Sequence, residues 1–367
     1  MPYLIPRGSR MIPLTPRLPL RAAVAGLSLA ALVLAGCSTE AATDEPTAEK
    51  RQQLFDDQCA GTVIPDLPDL EPLPAEDGTS KVTTEFGDVD LPTHPKAALG
   101  MYTTDVDMLI WLRYPLAKSQ PIRGDGYKTF PCFFPYDPLD GVSTFGNYPD
   151  YDFESILLAE PDFILNGLGY DKKVVKRLPS IAPTFSVDAF DGESWMTHFE
   201  DTARLLGRTE YYDAWKKIYD ERVAEVKKEL GDLSGVVVSP VGYWEGKIQT
   251  GCYSGVECQV FDDLGLKIND SSLANDREGE ALSGEQLGKL QDVDYGFMIK
   301  ALGTAGQDEY DKTITELDKN ALWAGLPFVQ DDHIVTYEME MTYGSPSGQL
   351  AFLEVVREQL AAKGVGK

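Results

Sequence analysis

The chain has 367 residues, 43% of them hydrophobic and 25% charged, which is the composition of a globular protein with length for two domains. Lys and Arg number 33 against 59 Asp and Glu, a formal charge of −26, and no basic segment offsets it, which excludes a nucleic-acid partner. There is one long apolar run, so a multi-span membrane protein is excluded as well.

That run lies at the N-terminus. Residues 1–21 carry Arg7, Arg10, Arg17 and Arg21 and no acid, and Ala22–Leu34 is apolar apart from Ser28. About 13 residues are too few to span a bilayer but suit the core of a secretory signal. The run ends Leu34-Ala35-Gly36-Cys37-Ser38, which resembles a bacterial lipobox. The resemblance implies a signal peptide over 1–36, acylation of Cys37, and a lipid anchor on the extracytoplasmic face of the cell membrane. Met1 and Met11 are both candidate starts. Cleavage before Cys37 lowers Lys and Arg from 33 to 29 against 59 acids, a mature charge of −30.

Four further cysteines, Cys59, Cys132, Cys252 and Cys258, are an even set for an oxidising compartment and suggest two disulfides. Cys252 and Cys258 close a short loop around Ser254-Gly255, leaving Cys59 for Cys132, although four cysteines allow three pairings. The C-x5-C spacing has no second pair and no nearby histidine, which argues against zinc.

Residues 37–80 are rich in Ser, Thr, Glu, Ala, Asp and Pro and read as a flexible tether. The folded body is expected from Lys81. Ala97–Met101 reads as a buried strand and Asp105–Leu116 as a helix; Pro131 leaves Thr129–Phe134 undecided. Phe153–Ala159 reads as a helix, Phe163–Leu165 as a strand and Ile181–Val187 as another. Short buried strands between helices predict an α/β parallel sheet. From Arg208 to Leu230, Tyr212, Trp215, Tyr219, Val223, Val226 and Leu230 recur at three- and four-residue steps, with Gly231 as the stop. Such a helix spans about 35 Å and can act as a spine. Beyond it come a strand at Gly235–Val241, a helix at Cys258–Leu266, a helix at Ser283–Leu290, a strand at Asp294–Ile299, a strand at Ile334–Tyr337 and a closing helix at Gly348–Lys363. The expected architecture is two α/β lobes, 81–207 and 231–367, joined by a spine helix at 208–230, with a ligand cleft between them.

No enzyme chemistry is legible. His94, His198 and His333 lie in separate segments, and there is no GxGxxG, Walker loop or HExxH. Gly344-Ser345-Pro346-Ser347-Gly348 has Pro where a nucleophile elbow needs another residue, so it reads as a turn into the last helix. Aromatic residues are abundant, with 17 Tyr, 15 Phe and 5 Trp. Many fall just after strands: Tyr102; Asn147, Tyr148 and Tyr151 before the Phe153 helix; Tyr170; Tyr243 and Trp244; Tyr253 in the cysteine loop; and Tyr343. Open α/β sheets bind ligands at the carboxyl ends of their strands. These residues are therefore the candidate ligand site, suited to a bulky, partly apolar molecule with a few polar handles.

The order of lipobox, tether, α/β lobe, spine helix, second lobe and closing helix resembles the siderophore-binding lipoproteins of bacterial iron ABC importers. Gly146–Leu157 with Ala159–Leu165 is similar to the first-lobe pocket loop, helix and strand of that family. Ile181–Thr184, Ala203–Gly207 and Trp323 with Leu326–Val329 are similar to later segments, and the likeness runs over residues 90–362. It implies a monomeric binding protein without cofactor, catalytic residue or protein-bound metal, whose ligand is a ferric siderophore and whose partner is an ABC permease docked through acidic residues of each lobe. Some hydroxamate binders of this family carry an arginine in the pocket loop, where this chain offers Tyr148 instead. Arg113, Arg123 and Arg277 are the candidates to restore that charge. The net charge disfavours strongly anionic catecholate or citrate complexes and favours a neutral or cationic hydroxamate. Haem or corrinoid binding on the same scaffold, a secreted lipoprotein hydrolase and a free zinc or manganese receptor are the alternatives.

Overall fold

The computed structural model describes residues 78–124, 127–135 and 137–365. The signal segment, Cys37, Cys59 and nearly all of the tether lie outside these residues. The first described element begins at Thr79, two residues before the expected boundary.

The first half starts with the antiparallel hairpin β1 (Thr79–Thr84) and β2 (Gly87–Pro92). Then follow β3 (Ala98–Gly100), α1 (Thr103–Trp111), β4 (Ser119–Arg123), β5 (Ser143–Tyr148), α2 (Phe153–Leu158), β6 (Phe163–Asn166), β7 (Thr184–Ser186) and α3 (Trp195–Leu205). Strands β3, β6 and β7 form a parallel sheet in that order, and β4 pairs parallel with β5. The spine is α4 (Thr209–Leu230). The second half holds β8 (Val237–Pro240), β9 (Gly242–Trp244), β10 (Lys247–Gln249), α5 (Val256–Leu264), β11 (Lys267–Ile268), β12 (Ala281–Leu282), β13 (Tyr295–Lys300), α6 (Gly303–Leu317), β14 (Ile334–Glu338) and α7 (Pro346–Ala362). Its main sheet is parallel with order β11-β8-β13-β14, and β12-β10-β9 form a small antiparallel sheet.

Three expected elements change. The first helix stops at Trp111, because Arg113 takes a left-handed backbone (φ 58°) and Tyr114 N–H turns back to Leu109 O. The strand expected from Ile181 begins only at Thr184, after a 3-10 turn at Leu178–Ser180 and Pro183. Ser283–Leu290 is not an α-helix: Gly284 and Gly288 interrupt it, and only Leu287–Leu290 coils, as a 3-10 turn.

The buried face of α4 is Tyr211, Tyr212, Trp215, Tyr219, Val223, Val226 and Leu230. Trp215 is fully buried between the rings of Trp195, Phe199, Tyr212 and Tyr219. The same apolar cluster takes in Leu109 and Trp111 from α1, Phe261 from α5, Phe297 from β13 and Phe352 from α7. Residues from both halves thus share one core along the spine.

Polar contacts fix that junction. Ser347, at the start of α7, donates its N–H (2.7 Å) and its hydroxyl (2.6 Å) to Asp107 of α1 and accepts Trp111 Nε1–H at 2.8 Å. Trp215 Nε1–H donates to Pro346 O at 3.1 Å. Arg208 donates to Leu112 O at 2.7 Å, with its guanidinium 3.9 Å from the centre of the Tyr114 ring. Of the Gly344–Gly348 segment, expected as a turn, only Gly344 and Ser345 precede the last helix; Pro346, Ser347 and Gly348 are its first residues.

Candidate functional site

The site is assembled at the carboxyl ends of β3, β4, β5 and β14. Gly100 permits the tight turn from β3 into α1, because a Cβ there would stand 2.6 Å from Val106 N. Asp105 receives the N–H groups of Met101 (3.2 Å), Tyr102 (3.1 Å) and Gly167 (3.1 Å), tying this turn to the end of β6. Burial raises the Asp105 carboxyl to about 7 against those three donors. Asn147 is buried and gives its amide to Met101 O (2.8 Å) while accepting Asp152 N–H (2.9 Å), so it fixes the loop that carries Tyr148.

Tyr102 meets Tyr148 and Tyr343 edge-on, at ring-centre distances of 5.7 Å for both pairs. Tyr148 and Arg123 are register partners at the ends of β5 and β4, and the Arg123 guanidinium lies 4.9 Å from the Tyr148 ring centre. Arg123 Nη1 donates to the hydroxyls of Tyr102 (3.1 Å) and Tyr343 (3.2 Å), and its Nε is 3.6 Å from Glu340 Oε1. Glu340 in turn accepts the Tyr102 hydroxyl at 2.9 Å and the Thr103 hydroxyl. Tyr343 is placed by Gly344, whose φ of +81° and whose 2.3 Å clearance to the Trp195 ring leave no space for a side chain.

Burial, reinforced by Glu340, holds the Tyr102 phenol far above its ordinary range. Burial pushes Tyr343 up to about 12, although Arg123 opposes the shift. Both phenols are neutral hydrogen-bonding groups at physiological pH.

The other predicted residues make no hydrogen bond to Arg123 among the described residues, though Tyr151 packs on the same apolar cluster as Tyr102, Tyr148 and Tyr343. Tyr151 and Tyr170 bring their hydroxyls to 3.4 Å and lie beside Phe153 and Phe190. Tyr170 is 49% exposed. Tyr243 packs on the second-half core, while Trp244 is 68% exposed at the end of β9. Tyr253 lies in a 3-10 turn beside the Cys252–Cys258 disulfide. Cys132 is disulfide-bonded, and Cys59, the partner expected for it, lies outside the described residues. His198 contacts Asp191 at 2.9 Å, and His333 stacks on Tyr295, so neither belongs to the cluster.

The arginine sought in the Tyr148 loop comes instead from β4. Of the three candidates only Arg123 joins the cluster; Arg277 pairs with Asp262. Glu340, Thr103, Glu338 and Tyr127 were not foreseen. With 59 acids in the chain, nothing in the spacing of Glu338 and Glu340 marks them out.

The periplasmic binding protein family model matches residues 109–340, more than half of the chain. The chain belongs to the periplasmic binding protein family. It is 22% identical over 255 residues to the probable siderophore-binding lipoprotein YfiY of Bacillus subtilis, covering 66% of this chain and 74% of that protein. It is 23% identical over 305 residues to the putative ABC transporter substrate-binding lipoprotein YhfQ of the same organism, covering 77% and 88%. Among solved structures, Staphylococcus aureus SirA complexed with staphyloferrin B superposes with a TM-score of 0.60 at 21% identity, over 78% of this chain and 98% of SirA. S. aureus FhuD2 with bound ferrioxamine B gives 0.55 at 21% identity, over 73% and 99%. These likenesses establish the two-lobe α/β fold of this class of binding proteins.

Proposed function

We propose that this protein captures a ferric siderophore outside the cytoplasmic membrane and delivers it to an ABC permease. The names of YfiY, SirA and FhuD2 support the ligand class, and that of YhfQ supports the transporter. The iron is cargo inside its chelate, and the protein grips the chelate's surface.

The observation that carries the reading is the state of Arg123. Its guanidinium is stacked on Tyr148, bonded to two phenols and offset by Glu340. The cluster therefore presents ring faces and hydroxyls without surplus positive charge. That surface suits a neutral or cationic hydroxamate complex, and the chain's −26 charge turns polyanionic complexes away. The shared core and the Asp107–Ser347 junction favour a largely preformed cleft, with 81–207 and 231–367 as lobes on the 208–230 spine. Cys37, acylated, would hold the protein at the membrane through the 38–80 tether.

Titrating the purified protein with ferric hydroxamates, ferric catecholates, ferric citrate and haem, followed by tryptophan quenching, tests this. Saturable quenching by a hydroxamate with none by citrate is expected. Tight haem binding, or a citrate complex binding best, overturns the reading.

A further inference from the structure

Glu338 closes β14 at the carboxyl edge of the parallel sheet, the edge at which such sheets receive ligands. It is 8% exposed, yet neither carboxyl oxygen has a hydrogen-bond partner. The phenol oxygen of Tyr127 is also buried and unbonded; it lies beside the Glu338 carboxyl but off hydrogen-bond geometry. Folded proteins rarely leave both oxygens of a buried acid unanswered.

Among the described residues, Lys300 and Arg123 both direct their charges elsewhere. Lys300 is its register partner across the β13–β14 pair, but Lys300 Nζ donates to Gln307 Oε1 at 3.2 Å and leans toward the Tyr310 ring. Arg123 faces Glu340 and the two tyrosines. On the opposite side of β14, Glu257 of α5 accepts from Tyr337 (2.5 Å) and Thr342 (2.8 Å). Arg123 thus pairs with Glu340 and not with Glu338, whose carboxyl oxygens have no hydrogen-bond partner among the described residues.

We propose that Glu338, with the Tyr127 hydroxyl, is a subsite for a protonated primary amine carried by the ligand away from its iron-chelating groups. This deepens the siderophore reading and rests on it. An ammonium brings three donors, matching the two carboxyl oxygens and the phenol oxygen. Burial, with Glu340 nearby, raises the Glu338 carboxyl well above the ordinary carboxylate range and so favours its protonated form in the ligand-free protein. As the amine docks, the Glu338 proton leaves for solvent and the carboxylate pairs with the ammonium. Affinity for an amine-bearing complex therefore rises with pH, while affinity for its neutral counterpart does not. The groups that act on Glu338 are Glu340 and Tyr127. Burial raises the phenols of Tyr127, Tyr102 and Tyr343 as well, so none of them titrates near neutrality.

The test compares ferrioxamine B, which carries a free primary ammonium, with its N-acetylated form, by calorimetry on the wild type, Glu338→Gln and Tyr127→Phe. The wild type should bind the amine form about 10-fold tighter. It should release close to one proton with that form alone, read from two buffers of different ionisation enthalpy. Glu338→Gln should lose both the preference and the proton release, and Tyr127→Phe should weaken the preference; circular dichroism checks that each variant is folded. Equal affinity of the wild type for the two forms, or a Glu338→Gln variant that keeps the preference, overturns the subsite while leaving the siderophore reading in place. Failure of both forms to bind overturns the siderophore reading and the subsite with it.

Discussion

Asp107 and Glu338 are both buried acids close to the contacts between the first half of the chain and its last elements, and they are treated in opposite ways. Asp107 receives the N–H and hydroxyl of Ser347 at 2.7 and 2.6 Å, and Trp111 completes the chain of donors. Glu338 has only the Tyr127 hydroxyl beside it, off hydrogen-bond geometry, among the described residues. A fully answered buried acid fixes one arrangement of its neighbours, because every alternative leaves polar atoms unpaired. An unanswered one costs stability, and its retention beside a cluster of rings marks a place where a ligand supplies the missing partner. The Asp107 end of the junction is a hinge pin, and the Glu338 end is a receptor.

Variants separate the two ends. Asp107→Ala strands the Ser347 N–H and hydroxyl in the core and should cost about 2–3 kcal/mol in urea unfolding. A loss under 0.5 kcal/mol would show that the junction does not depend on this acid, taking about 0.5 as the scatter of surface changes.

Three buried acids that do accept hydrogen bonds are nevertheless raised by burial: Asp105 and Glu257 to about 7 and Asp107 to about 6. Their native forms bind protons more tightly than their unfolded forms, so stability is highest in mild acid and falls as pH climbs from about 4 to 7. Between pH 5.5 and 7.5 the fall should be about 1–2 kcal/mol for each of Asp105 and Glu257. Thermal melts across this range check it; a melting temperature that rises toward pH 7.5 contradicts it.

Tyr343→Phe removes one acceptor from Arg123 but keeps the ring against Tyr102. Ferric hydroxamate affinity should drop about 5- to 10-fold with little change in folding. The smallest effect on stability is expected at Glu338→Gln, within about 0.5 kcal/mol of wild type, since no bond is lost there. A large destabilisation would move Glu338 into the same class as Asp107.

The spine was legible because seven buried residues repeat at helical steps over 22 positions. The parallel strands β3, β6, β8, β13 and β14 were legible as apolar runs between turn residues. The β9–β10–β12 sheet was not, because strands of two or three residues carry no periodicity. Helix α6 was missed because Tyr310, Ile314 and Leu317 are a thin apolar stripe on an otherwise polar segment. At the site, Tyr102 and Tyr343 could be named from their positions after strands, and Tyr148 from its place before the Phe153 helix. Arg123 could not be assigned, since Pro121 breaks the pattern of β4 and the parallel pairing of β4 with β5 is a long-range contact. Tyr243 follows the same local rule yet packs on the second-half core, because strand-end position does not fix which way a loop folds back.

The central claim is that the Tyr102–Tyr148–Tyr343 cluster around Arg123 holds the ferric complex. A crystal structure of the protein with a ferric hydroxamate tests it most directly. The chelate should pack on the Tyr148 and Tyr343 rings with Arg123 beside it. A chelate seated against Trp244 on the small antiparallel sheet, with the Arg123 cluster untouched, would contradict it.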